Sequence, residues 1–337
     1  MMSWTSIGDR AQYFRLNNDG THLQRELQRL TSELSTGRVA DIGRRTGGDF
    51  AGLADVDRGL RLNAAYTGSI ARAGLQAEAR QASLERLQGE VSGFAPQILA
   101  YSTGGSMHDI EIALADASDR LGQAVSALNT SVGGVSLFAG DAFDQPALMS
   151  GDEMLQDLRP LAAGITIAAD MVAIVEDWFL SPGGGFETAA WQGGADQASP
   201  AILGDGLRED AGVTALDPAL RETLAGLALA ALAAENAGPA TDAERRALVT
   251  AAAMRMQSGE DRVIALRAEL GTSESRIEQA RVSAEAARAS LEIERSRILG
   301  ADPYRTASDL DAVEVRLESL YIVTARLSAL TLTEYLR

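Results

Sequence analysis

Residues 242–299 read DAERRALVTAAAMRMQSGEDRVIALRAELGTSESRIEQARVSAEAARASLEIERSRIL, and this stretch decides the fold. A heptad repeat runs through it, which predicts one long helix with a single apolar seam. Thr241 and Glu244 have the spacing of a capping box that begins the helix, and Gly300 is placed to end it. Such a helix is about 87 Å long, too long for one compact core. The repeat positions are Val249, Met256, Val263, Leu270, Ile277, Ala284, Leu291 and Ile298.

A matching helix is predicted nearer the N-terminus. Asp49 is placed to begin it and Ser102–Gly105 to end it, which gives a length of about 75 Å. A third helical stretch covers roughly 107–133. The three helices predict either a rod-like bundle or an antiparallel coiled coil that serves only as a spacer. The heptad positions of the first of these helices are Val56, Ile70, Ala77, Leu84, Val91 and Ile98.

Each end of the chain adds a shorter amphipathic helix. The N-terminal stripe consists of Leu16, Leu23, Leu27, Leu30 and Leu34. Asp302 and Pro303 begin the C-terminal helix, as N-cap and first-turn residue. Its stripe contains Leu310, Val313, Leu317, Leu320 and Leu327. These ten residues are the candidate assembly interface, because two stripes satisfy each other only in part and leave apolar surface for other copies. The alternative is a helix pair that merely closes a monomer.

The charge of the chain is concentrated in its middle. The net charge is −17. Residues 1–140 and residues 241–337 each have a net charge of −2. Residues 141–240 contain 16 acidic residues and only 3 Arg, and they also contain six of the 8 Pro. This pattern predicts two arms that pair with each other and an acidic insert that folds between them. An acidic linker without a fold of its own is the alternative.

The insert mixes short elements. Ile165–Val175 is apolar and rich in β-branched residues, while Phe186–Trp191 and Ala201–Leu203 are predicted as strands. Asp217 and Pro218 begin a helix that runs to about Asn236. The predicted fold is therefore mainly α: a long coiled-coil-like helical rod formed by the two arms, with a small α+β insert domain.

The predicted domain organisation follows from these elements. Residues 1–43 and 301–337 form a terminal helix pair, which is the inner assembly domain. Residues 44–140 and 241–300 form the helical rod domain. Residues 141–240 form the acidic outer insert domain.

The composition excludes most catalytic chemistry. The chain has no Cys and all its basic residues are Arg. It has only two His, His22 and His108, which argues against most His-based metal or triad chemistry. The acidic cluster at 205–210 does not match a calcium loop. Asn129–Ser131 fits the glycosylation pattern, but so short a pattern also occurs by chance. We expect no enzymatic activity, no cofactor and no metal.

The sequence also bears on partners and location. A net charge of −17 argues against nucleic acid as a partner. The longest notable apolar stretch, Thr223–Ala234, is too short to cross a bilayer, so no membrane insertion is predicted. The first residues lack the basic and apolar regions of a cleavable signal peptide.

Four motifs resemble the bacterial flagellin and hook-associated protein family. Residues 30–39, LTSELSTGRV, are similar to the family's leucine stripe followed by S-x-G-R/K, and residues 48–53, GDFAGL, to the motif that follows it. Residues 136–141, SLFAGD, and the terminal helix from Asp302 to Leu336 resemble the member that joins hook to filament.

The resemblance implies a structural function. It implies that the termini pair in an inner coiled-coil layer, that the long helices form a second layer and that the insert faces outward. The expected partners are further copies of the chain in a ring or helical assembly, neighbouring hook-associated protein and flagellin, and an export chaperone. The expected location is the extracellular flagellum, reached by the flagellar type III route. A flagellin filament subunit and a non-flagellar coiled-coil adaptor remain as alternatives.

Overall fold

The computed structural model describes residues 7–210, 212–235 and 241–335. Two compact units make up the chain: residues 1–63 with 286–337, and residues 64–285. Both unit boundaries fall inside long helices. The three predicted domain ranges have other limits and stay a prediction.

Helices dominate the described residues. In chain order the elements are α1 (Ile7–Thr36), α2 (Ile42–Thr46), α3 (Ala51–Ser92), α4 (Phe94–Gly104), α5 (Met107–Leu114), α6 (Ala117–Leu128), β1 (Ser131–Val132), β2 (Val135–Ser136), α7 (Gly151–Ala162), α8 (Ala168–Leu180), β3 (Ala201–Gly204), β4 (Leu207–Glu209), α9 (Pro218–Ala234), α10 (Asp242–Leu299) and α11 (Pro303–Tyr335). The prediction of a mainly α fold is confirmed.

Helix α10 begins and ends where the sequence predicted. At its start the backbone N–H of Glu244 donates to the Thr241 hydroxyl at 3.3 Å, which is one half of the predicted capping box. The Glu244 carboxylate does not complete the box. It accepts a 2.8 Å hydrogen bond from the backbone N–H of Ala168, at the first residue of α8.

The other long helix is interrupted once. The Asp49 carboxylate accepts a hydrogen bond from the N–H of Ala51 at 2.9 Å and begins α3, as predicted. The predicted continuous helix instead divides at Gly93 into α3 and α4. Pro96 lies in the first turn of α4. A proline has no N–H to donate, and its ring crowds the preceding turn of a helix. Gly93 and Pro96 together therefore separate the two helices.

The predicted third helix, roughly 107–133, is wrong in its extent. It consists of α5 and α6, separated at residues 115–116, and helix ends at Leu128. A β1–β2 hairpin follows, in which Val132 pairs with Val135. Its two turn residues, Gly133 and Gly134, have φ of +61° and +79°, a conformation typical of tight hairpins.

The insert folds with more helix than the sequence predicted. Phe186–Ala190 is a π-helical turn, so the predicted strand at Phe186–Trp191 is wrong. Phe186 is buried against Trp178 and Phe179, with ring centroids 6.2 Å and 5.6 Å away. The packing of these three rings is a tertiary requirement that overrides the local β propensity. The apolar segment Ile165–Val175 lies largely in α8.

Two other elements of the insert match the prediction. Strand β3 begins at Ala201 and pairs antiparallel with β4. The Asp217 carboxylate accepts a 2.8 Å hydrogen bond from the N–H of Ala219 and begins α9. The predicted end of that helix, Asn236, lies outside the described residues. An acidic linker without a fold is not what the structure shows.

Helix α9 is central to the core of residues 64–285. Every residue from Ala219 to Leu232 is buried, and α9 packs against α5, α6, α7 and α8. The twelve-residue apolar stretch noted in the sequence is thus a buried core helix. Among the described residues, no helix is long and apolar enough to cross a membrane.

Candidate assembly interface

The helices from the two ends of the chain, α1 and α11, pack along each other within the unit formed by residues 1–63 and 286–337. Helix α1 ends where Gly37 takes a φ of +68°, a left-handed conformation that suits glycine. Helix α11 begins where the Asp302 carboxylate accepts hydrogen bonds from the N–H groups of Tyr304 and Arg305, at 3.0 Å and 3.2 Å. Local capping signals therefore position both helices of the pair.

A short antiparallel bridge joins the two chain segments beside this pair. Arg38 lies opposite Gly300, the N–H of Val39 donates to the Leu299 carbonyl at 2.9 Å, and the N–H of Ala301 donates to the Gly37 carbonyl at 3.0 Å. These bonds fix the end of α1 next to the start of α11, so the two helices run antiparallel.

Nine of the ten predicted residues are buried or half-buried, and their part in assembly stays a prediction. Leu30 and Val313 are buried, at 2% and 4% exposure, and Leu34 is exposed at 40%. Within the seam, Leu320 packs against Gly20, where an added Cβ would lie 3.3 Å from its Cδ2. The remaining predicted residues are half-buried: Leu16, Leu23, Leu27, Leu310, Leu317, Leu320 and Leu327.

Polar contacts also fix the register of the pair. The Gln24 side-chain amide donates to the Tyr321 hydroxyl at 2.9 Å. At the end of α1, the buried Glu33 carboxylate accepts from Arg29 at 2.9 Å and from the N–H of Ala40 at 3.0 Å. Glu33 therefore links α1 to the segment that follows it. Sequence reasoning missed the bond between Gln24 and Tyr321, because a long-range side-chain pair leaves no periodic pattern.

A second apolar surface of the pair remains open. Tyr304, Val315 and Ile322 are spaced by eleven and seven residues, which places them on one face of α11. Their exposed fractions are 86%, 62% and 47%. We call these three residues, Tyr304, Val315 and Ile322, the outer face. The spacing of these three residues could have predicted this face from the sequence, but the predicted interface included only the leucine stripes.

The described residues contain little chemistry besides packing. No group of three or more His, Cys, Asp or Glu side chains within them is arranged to hold a metal ion. The carboxylates with lowered pKa, such as Asp109 and Glu153, accept hydrogen bonds at helix N-termini or from arginines. Each of these shifts has a structural cause and indicates no acid–base pair.

Long helices from both ends of the chain, paired by apolar stripes, define a helical structural protein. Residues 257–336, which cover most of α10 and all of α11, match the family model for the bacterial flagellin C-terminal helical region. The sequence match and the fold support the flagellin and hook-associated protein family, as the four motifs predicted.

A solved structure has the same fold. It is that of a protein from Vibrio parahaemolyticus described as a flagellar hook-associated protein. The TM-score is 0.52 at 16% sequence identity, and the match covers 73% of this chain and 95% of that chain. No curated protein sequence matches the chain.

Proposed function

We propose that this chain is a structural subunit of the bacterial flagellum that joins the hook to the filament. Three observations support it: the flagellin C-terminal match, the fold shared with a protein described as hook-associated, and the SLFAGD segment at residues 136–141. Assembly, rather than catalysis, is the activity. The chain acts outside the cell, in the flagellum.

The observation that carries the proposal is the open outer face of the helix pair. The leucine stripes hold α1 and α11 together, while Tyr304, Val315 and Ile322 stay in solvent beside them. Burying one such side chain fully is worth about 1.5–3 kcal/mol. A ring or helical assembly repeats that contact in every copy, so the outer face supplies a driving force for assembly through the pair.

The partners follow from this arrangement. Other copies of the chain, hook-associated protein and flagellin contact the inner assembly domain, residues 1–43 and 301–337. Residues 44–140 and 241–300 form the rod layer, and residues 141–240 face outward. The chain reaches this place through the flagellar type III route, with an export chaperone that covers the outer face before assembly.

A flagellin filament subunit is the second candidate. The family match at residues 257–336 favours it, because that model describes flagellins. The same match supports a flagellar structural protein over a non-flagellar coiled-coil adaptor.

Deletion of the gene in its bacterium distinguishes these candidates. For a junction protein we expect hooks without attached filaments and filament protein shed into the medium, as seen by electron microscopy and immunoblotting. Re-expression of the intact chain should restore attachment. Attached filaments in the deletion strain would contradict the junction function, and loss of the filament protein itself would identify a flagellin.

A further inference from the structure

A cavity of about 480 Å³ opens within residues 64–285. Helices α3 and α10 line it, together with the segments around β2 and β4. Its volume lies in the range of pockets that hold small organic molecules, about 300–1,000 Å³. Part of its wall is apolar: Leu137, Phe143, Val213, Leu270 and Ile277.

Arg80 is the one basic residue among the described residues of the wall. Its Nε donates to the Leu137 carbonyl at 3.1 Å, and among the described residues its guanidinium forms no ion pair. Burial lowers the pKa of Arg80, but an arginine stays charged in proteins. Its two terminal nitrogens form a planar fork that matches a carboxylate.

Two other residues of the wall bear on what the cavity can hold. Gly212 has a φ of +86°, and an added Cβ there would lie 3.3 Å from Cζ of Arg80 and 3.4 Å from Nη1. A side chain at 212 would therefore crowd the guanidinium. Ser136, another wall residue, is 7% exposed, and its buried hydroxyl has no hydrogen-bond partner in the described part of the chain.

The acidic residues of the wall restrict the charge of a ligand. The Glu209 carboxylate accepts from the Ser273 hydroxyl at 2.7 Å and from Arg276 at 2.8 Å. Asp141 accepts from the N–H of Asp196 at 3.3 Å, and Asp210 is exposed. These carboxylates repel a ligand with two negative charges, such as phosphate, more strongly than they repel a ligand with one carboxylate.

We propose that this cavity binds a small organic monocarboxylate with an apolar body. The carboxylate meets the open fork of Arg80, and the apolar body packs against Leu137, Phe143 and Ile277. This site is independent of the flagellar function, so either proposal can fail without the other.

Ligand-detected NMR titration of the full-length protein tests the proposal, with benzoate as the probe. Benzamide has the same ring without the charge, and inorganic phosphate has the charge without the ring. We expect saturable binding of benzoate, at least about tenfold tighter than either comparison compound. Benzamide binding as tightly as benzoate, phosphate binding more tightly, or no benzoate binding would overturn the proposal.

Two variants locate the binding site. Arg80→Gln should weaken benzoate binding at least about tenfold, whereas Arg281→Gln, at an exposed arginine paired with Glu278, should leave it unchanged. Phe143→Ala should weaken benzoate binding several-fold. Because Phe143 is 59% exposed, this variant should fold, and it tests the proposal if Arg80→Gln does not fold. Unchanged binding in the folded Arg80→Gln or Phe143→Ala protein would overturn the proposal.

Sedimentation of the intact protein with and without benzoate provides a further test. If the protein self-associates and benzoate blocks this self-association, the cavity binds a second copy of the chain and the proposal is overturned.

Discussion

Two glycines, one on each helix, set the closest approach of α9 and α10. A Cβ at Gly226 would lie 2.6 Å from Cγ of Met256 and 2.8 Å from its backbone N. A Cβ at Gly259 would lie 2.5 Å from the Thr223 hydroxyl and 2.8 Å from its backbone N. Each glycine thus meets the backbone of the facing helix, so a side chain at either position forces the helices apart.

We expect Gly226→Ala and Gly259→Ala to lower the free energy of unfolding by about 1–3 kcal/mol each, because backbone atoms cannot move aside as side chains do. The loss should occur although alanine favours an isolated helix by about 1 kcal/mol. Gly89→Ala in α3 is the control: it lies in a helix with open space around it and should stabilise the protein slightly. Urea denaturation measures all three, and a stable Gly259→Ala variant would show that the helices do not meet there.

At the scale of single residues, the sequence predicted that small residues follow the heptad positions, but it did not predict which residues they contact. Gly259 lies three residues after the heptad position Met256, where small residues predict a close approach. Nothing in that pattern identifies Thr223 as the neighbour. Asn129 shows the same limit. It fits a glycosylation pattern, yet its side-chain amide bonds both backbone groups of Leu148, at 2.8 Å and 2.9 Å.

At the scale of elements, the predicted helix boundaries that hold are those with a local signal. Asp49, Thr241 and Asp302 each accept a hydrogen bond at a helix start, and Gly37 ends α1. The errors lie where packing decides. Phe186 enters a π-helical turn because its ring is buried with Trp178 and Phe179, and no residue pattern within its own segment shows this.

Helix α7 illustrates a capping signal with a measurable pH dependence. The Ser150 hydroxyl accepts from the N–H of Glu153, and the Glu153 carboxylate accepts from the backbone N–H and the hydroxyl of Ser150, at 2.9 Å and 2.8 Å. The backbone hydrogen bond is the larger cause and the hydroxyl the smaller one of a Glu153 pKa below the ordinary value. This cap therefore stabilises the fold above the ordinary glutamate pKa, and its contribution is lost as the pH falls through the lowered pKa.

We expect NMR titration to show the Glu153 carboxyl protonating at a lower pH than an unperturbed glutamate. Ser150→Ala should raise the Glu153 pKa only part of the way toward the ordinary glutamate value, because the backbone hydrogen bond remains. Glu153→Gln keeps an acceptor without the charge, so the stability from this cap should lose its pH dependence. An ordinary Glu153 pKa in the intact protein would mean that the box is not closed in solution.

At the scale of the whole molecule, two buried acidic residues of the insert pair with the C-terminal arm. The buried Glu222 pairs with Arg255 and Arg262 of α10, both at 2.9 Å, and the buried Glu209 pairs with Arg276 of α10 at 2.8 Å. Acidic residues of the insert thus meet arginines of the C-terminal arm. The sequence predicted an insert that folds with the arms, but it did not show which carboxylates are buried.

The outer face gives the prediction that belongs to the assembled protein. We expect the double variant Val315→Asp with Ile322→Asp to fold as the intact chain does, because both positions are exposed and surface substitutions usually change stability by about 0.5 kcal/mol or less. It should fail to restore filament attachment in the deletion strain, because each copy would place two carboxylates in an apolar contact. Attachment and swimming measure the effect.

Two further variants separate this effect from general damage. The double variant Ile264→Asp with Val282→Asp in α10 introduces the same two charges at exposed positions, 47% and 53%, and should restore attachment. Val313→Ala removes a buried side chain from the seam between α1 and α11 and should instead make residues 305–327 more sensitive to limited proteolysis in the monomer. If the outer-face variant attaches filaments normally while Val313→Ala does not, the leucine stripes and not the outer face form the contact between copies, and the helix pair must open for the protein to assemble.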